Sequence, residues 1–162
     1  MNNKKPILVM RIIIFIFVFS IGSFLQAQTE VSNPLYNKAL ADSLGADNYG
    51  MKLYTLVILR TGPVKIEDQE KLNTLFRGHL DNIFRLEAEG KLVVAGPFGN
   101  NANSFRGMYI FDVPTVQEAK VLLKSDPAIE AGIFDVDMYQ WYGSAALKSY
   151  LNVHKLIEKA KP

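Results

Sequence analysis

A histidine sits in the apolar stripe of a helix-like segment, where a leucine would be less costly to desolvate. In "KLNTLFRGHLDNIFRLEAEG", Leu72, Phe76, His79, Ile83 and Leu86 recur at intervals of four, three, four and three, so they share one face of a helix. An imidazole there reads in two ways. It can be a proton-transfer group at the floor of a pocket, since imidazoles titrate near neutrality, or a packed ring whose nitrogens are satisfied by neighbours. A histidine base is usually oriented by a carboxylate. Asp81 lies two residues on and faces away round the helix. Asp126, in "KSDPAIEAG", can meet His79 only through the fold, and by itself Asp126-Pro127 reads as the stop of a helix.

Other polar groups are less pointed. "AGPFGNN" breaks a strand at Gly96-Pro97 and supplies Asn100 and Asn101, whose amides can hold a polar ligand or simply fix a turn. Its glycine spacing, with no following Lys-Ser/Thr, is not that of a phosphate loop. Asp135 and Asp137 share a strand face with Tyr139 and Trp141; two such carboxylates can bind a hard cation, act as acid and base, or form a solvated edge. The two histidines, His79 and His154, fall on separate elements, and there are no cysteines. No metal is therefore expected, and thiol nucleophiles and disulfides are excluded. No nucleophile elbow is present, and no cofactor is expected.

The elements that must position these residues follow from the change of period along the chain. "LYTLVILR" and "KLVVAGPF" read as strands on either side of the His79 helix, whose end falls at Gly90. "FRGMYIFDV" pairs with the second strand as a hairpin. Thr115-Val116-Gln117-Glu118 is a capping-box pattern that opens a second helix through Lys124, and "GIFDVDMYQWY" is a fourth strand. The order strand, helix, strand, strand, helix, strand over Leu53 to Tyr142 predicts an α+β domain with a ferredoxin-like βαββαβ sandwich. Both helices then cover one sheet face. The other face carries apolar side chains that need cover, and a homodimer packed sheet to sheet supplies it.

Residues 1–27 read as a signal peptide, with Lys4, Lys5 and Arg11 before an unbroken apolar run and a junction after Ala27. The expected localisation is periplasmic or secreted, and a retained leader would be a membrane anchor. Removing it takes the formal charge from +2 to −1, which argues against a nucleic-acid partner. Residues 28–52 form an N-terminal arm with a short helix at Leu35–Leu44, the domain spans 53–147, and 148–162 is a helical tail that closes the chain.

"GHLDNIFRLEAEGKLVVAGPF", followed by "RGMYIFDV", "EAKVLLKSDPAIEAG" and "YQWYGSAAL", resembles the YCII-related (YciI-like) domain family over most of Leu53 to Leu147. The resemblance implies a protomer of a dimeric α+β barrel, with His79 in a pocket and an aspartate, Asp126, as its partner. Some relatives look like enzymes that act on hydroxylated or chlorinated aromatics and lactones by elimination or isomerisation without a cofactor. The implied roles here are His79 and Asp126 as catalytic pair, with Arg60, Gly96, Pro97 and Asn101 around an oxygen-rich substrate. Where many members carry an acidic residue after the first strand or after Gly-Pro, this chain has Arg60-Thr61 and Asn100-Asn101. Two alternatives stand beside the enzyme: a non-catalytic module binding a small ligand or a protein, and a haem protein using His79 as axial ligand.

Overall fold

The computed structural model describes residues 33–160; the signal peptide expected at 1–27 lies outside them. The chain divides into two compact units, residues 1–36 and 37–162. Of the first, the described part is a turn in which Asn33 accepts from the backbone N–H groups of Leu35 and Tyr36.

The second unit opens with helix α1 (Lys38–Leu44), capped by the Asn37 side chain and closed by Gly45 in the left-handed region. It starts three residues later than the sequence suggested because Asn37 takes the cap. Strand β1 (Met51–Thr61) follows, then α2 (Gln69–Ala88), β2 (Leu92–Pro97), β3 (Phe105–Phe111), α3 (Val116–Leu123), α4 (Pro127–Glu130) and β4 (Phe134–Ser144). A 3₁₀ turn, Ala145–Ser149, leads into α5 (Tyr150–Ile157). The four strands form one sheet in the order β2-β3-β1-β4, every neighbour antiparallel. This is the α+β, ferredoxin-like architecture expected from the element order. Among the described residues no helix is long and apolar enough to cross a membrane.

Strand alternation sorts the sheet into two faces. Val57 and Leu59 of β1 with Tyr109 and Phe111 of β3 face the helices, where Leu86, Ala119 and Leu123 complete the main core. Tyr54, Leu56, Met108 and Ile110 point the other way, partly covered by Leu147. Lys91 N–H returns to the Leu86 carbonyl past Gly90, whose φ of 68° is the left-handed turn expected there. At α3 the Thr115 hydroxyl accepts from Glu118 N–H as a cap should, but it also donates to the Glu118 carboxylate; the two side chains bond each other, and the glutamate does not reach back to the backbone. The arm is tied to the sheet at Asp47, which accepts from the Met51 and Tyr49 backbones and from the Tyr142 hydroxyl. Those bonds, the tyrosine's first, hold the Asp47 carboxyl below its usual range, and Asp47 in turn pushes Tyr142 up to about 12.

Candidate active site

Asp126 does not simply end a helix. It is the N-cap of α4: its Oδ1 accepts from Ala128 N–H at 3.0 Å and from Ile129 N–H at 3.3 Å, with Pro127 in the first helical position. This turns Oδ2 toward α2, where it lies 2.7 Å from Nδ1 of His79. The approach is close because the residue before His79 is a glycine. A Cβ on Gly78 would lie 2.7 Å from Cγ of Pro127, so Gly78 lets α4 seat directly on α2. Asp126 is fully buried and His79 is 8% exposed.

The other imidazole nitrogen also has a partner. Nε2 stands 3.2 Å from the hydroxyl of Tyr109, on the helix-facing side of β3 and 2% exposed. A proton pattern that satisfies both contacts has the Asp126 carboxylate as acceptor. In that pattern Nδ1 carries hydrogen and Nε2 presents its lone pair. Tyr109 then donates to Nε2. Burial first, and the charge of Asp126 second, raise the Tyr109 hydroxyl well above the usual phenol range, which keeps its proton in place. Phe134, at the start of β4, lies against the imidazole with ring centroids 5.1 Å apart, and Phe76 meets Phe134 edge-on at 5.8 Å.

His79 and Tyr109 form part of the wall of a cleft of about 1450 Å³ that runs along α2. Gly96 and Pro97 line it beside Arg106 and Gly107 of β3, while Thr61 and Lys65 stand at the end nearest the start of α2. His154 of α5 lines the same cleft. Among the described residues no three His, Asp or Glu side chains assemble into a metal site. A haem iron at His79 would have to displace Tyr109 from Nε2.

Of the residues singled out in the sequence, the fold brings His79 and Asp126 into contact and sets Gly96 and Pro97 in the cleft wall. Arg60 and Asn101 are elsewhere. Arg60 alternates with the cleft residue Leu59 and points to the opposite sheet face, where its Nη2 is 2.9 Å from Asp135 and its Nε 2.6 Å from Asp137. Those aspartates, Asp137 foremost, raise the Arg60 pKa and hold it as a cation. Both are ion-pair partners of that arginine on the edge strand β4, where Asp135 is half exposed, which agrees with the solvated edge weighed in the sequence. Asn101 is consumed by its own turn, donating to the Gly99 and Phe105 carbonyls and accepting from Asn103 and Phe105 N–H. Arg106 lines the cleft instead, as do Lys65 and Lys155. Two residues escaped the sequence reading, Tyr109 and Arg106. Tyr109 carried a signal, because a phenol at an inward strand position two before Phe111 needs a buried partner for its hydroxyl. Arg106 carried none, because its direction is set at an irregularity of the β1–β3 pairing, between Leu59 and Arg60.

A relative among known proteins, the uncharacterized protein YjpA of Bacillus subtilis, is 27% identical over 92 residues, covering 56% of this chain and 95% of its own. A solved structure, 5-chloro-2-hydroxyhydroquinone dehydrochlorinase of Burkholderia phenoliruptrix in complex with 2,5-dihydroxybenzoquinone, is similar at 20% identity and a TM-score of 0.40, over 54% of this chain and 92% of that one. The model of the YCII-related domain matches residues 54–142, from within β1 to within β4 and including Asp126, His79 and Tyr109, and the protein belongs to that family.

Proposed function

We propose that the protein is an acid–base enzyme for a small, planar, oxygen-bearing substrate, aromatic or lactone-like, of the lyase or isomerase type. One observation carries this reading: an imidazole held at Nδ1 by a buried carboxylate, with its basic Nε2 turned to a phenol at the wall of an apolar cleft. A bound substrate takes the place of the long Tyr109 bond at Nε2 and gives up a C–H or O–H proton to that nitrogen. Asp126 offsets the positive charge that appears on the ring, as the aspartate does in serine-protease triads. The Tyr109 hydroxyl, released from His79, donates to the oxygen on which negative charge develops. The imidazolium then returns its proton at another atom, giving isomerisation, or loses it to water after a leaving group has departed, giving elimination. Neither route calls for a cofactor.

Nitrogen-15 NMR of the imidazole tests the wiring. The expected form has hydrogen at Nδ1, and Asp126→Asn, whose amide offers a donor, is expected to move it to Nε2. A wild-type ring protonated at Nε2 alone would sink the mechanism. Among hydroxylated aromatics and lactones screened for turnover, His79→Asn is expected to lower the rate about 10²- to 10⁴-fold; equal rates would remove His79 from the chemistry.

The working form in this proposal is an exported homodimer, supported by the leader-like residues 1–27 and by the exposed aromatics Tyr139 and Trp141 on the sheet face away from the helices. A second reading, a non-catalytic interaction module, is favoured by α5, where Val153, Leu156 and Ile157 are all exposed. Loss of partner binding on deletion of the residues after Leu147, with the His79 tautomer unchanged, would favour that module.

A further inference from the structure

We infer that Arg106 is the anion-recognition residue of the cleft, so that the ligand is a planar molecule bearing a carboxylate or an equivalent anionic oxygen pair. This deepens the reading of the cleft as a substrate site and rests on it. The guanidinium is held by one bond, from Nε to the Thr61 hydroxyl at 2.6 Å. That bond fixes the plane of the fork and leaves Nη1 and Nη2 without another hydrogen bond or ion pair among the described residues. The same is not true of other arginines placed near carboxylates: Arg60 is bound to Asp135 and Asp137, and Arg85 to Glu89, Asn82 and Ser125. An oriented guanidinium with its Nη1–Nη2 edge free matches a carboxylate bidentately, which a lysine cannot do.

Position agrees with this. Arg106 and Tyr109 are three residues apart on β3, about 10 Å along a strand, and both line the cleft. An anionic group clamped by Arg106 would set the far edge of the ring against the Tyr109 hydroxyl and His79 Nε2, between Phe76 and Phe134. Lys65, at the same end of the cleft, adds a second positive charge to balance Glu67 on its own loop. Charged lining at the other end, Glu87 and Glu158 with Lys155, comes from α2 and the tail, and gives a ligand anion no such preference.

The test compares two probes of one size and shape, 4-hydroxybenzoate and 4-hydroxybenzamide, titrated into the protein and followed by NMR at Tyr109, His79 and Arg106. The expected result is that the acid binds at least tenfold more tightly than the amide. Arg106→Gln should remove that preference and leave amide binding unchanged. Thr61→Val, which frees the guanidinium without removing its charge, should weaken acid binding by a smaller factor. Equal affinity for the two probes in the wild type, or an acid preference that survives Arg106→Gln, overturns the clamp while leaving the cleft a binding site. If neither probe perturbs His79 or Tyr109, the clamp and the reading of the cleft as a substrate site both fail.

Discussion

At Asp126 the two carboxylate oxygens meet different demands: Oδ1 caps α4 and Oδ2 holds the imidazole. His79 is thus oriented by a residue whose own position is set by backbone hydrogen bonds, a firmer arrangement than two side chains meeting alone. Tyr109 is the junior partner, at 3.2 Å. Its hydroxyl is nevertheless buried, and Tyr109→Phe leaves Nε2 without a donor, which is expected to lower stability by about 1 to 2 kcal/mol in a denaturant titration. The variant should keep hydrogen at Nδ1, because Asp126 decides that, and should lose about 10²-fold in turnover, as expected when one donor to a developing oxyanion is removed. A change of tautomer in this variant would mean that Tyr109, and not Asp126, governs the ring. In the sequence His79 and Asp126 were legible as residues, one by its place in an apolar stripe and the other by its aspartate-proline step. Their bond was not, since 47 residues separate them and local spacing says nothing about contacts made by folding.

Between elements, the closest constraint is the seat of α4 on α2. An exposed helical Gly→Ala change ordinarily stabilises a helix by up to about 1 kcal/mol. At Gly78 the sign is expected to reverse, because the new methyl would meet the Pro127 ring at 2.7 Å and a proline ring has little freedom to yield. Gly78→Ala should destabilise the protein by about 1 to 3 kcal/mol, read as a lower thermal midpoint, and should lengthen the His79–Asp126 bond, read as a shift of the Nδ1 proton. A stabilised variant would show that the two helices are not in forced contact. The short helix α4 also explains why "SDPAIEAG" looked like a helix stop: the same proline that cannot continue α3 is well suited to begin a new turn.

Among the described residues, one sheet face is covered by helices and the other only in part, around Leu147. Tyr139 is 55% exposed and Trp141 37%; both lie across from the β1 residues Leu56 and Tyr54, on the face opposite the candidate site. We propose that a second copy covers this face. Light scattering on the purified protein is then expected to give twice the chain mass. Tyr139→Glu discriminates, since a charge at a half-exposed position costs a single chain little but would be buried in the pair; it should weaken the dimer at least tenfold without lowering monomer stability. A wild-type protein that remains a monomer at all concentrations would remove the proposal.

The elements and their order were legible along the chain because periodicity, caps and breakers are local: the stripe in α2, the left-handed Gly90, the threonine cap of α3 and the alternation in β4 all act within a few residues. The sequence also supplied the family and the two residues at the centre of the site. Which side chains meet was settled by folding. It drew Asp126 to His79 through the glycine-proline contact, brought in Tyr109, turned Arg60 to the far face to meet Asp135 and Asp137, and left Arg106 in its place at the cleft. Strand parity explains it: Arg60 follows the cleft residue Leu59 in an unbroken register with β4 and so faces the other side of the sheet, whereas Arg106 is the residue that the β1–β3 pairing skips, and neither partner strand can be read from the local pattern.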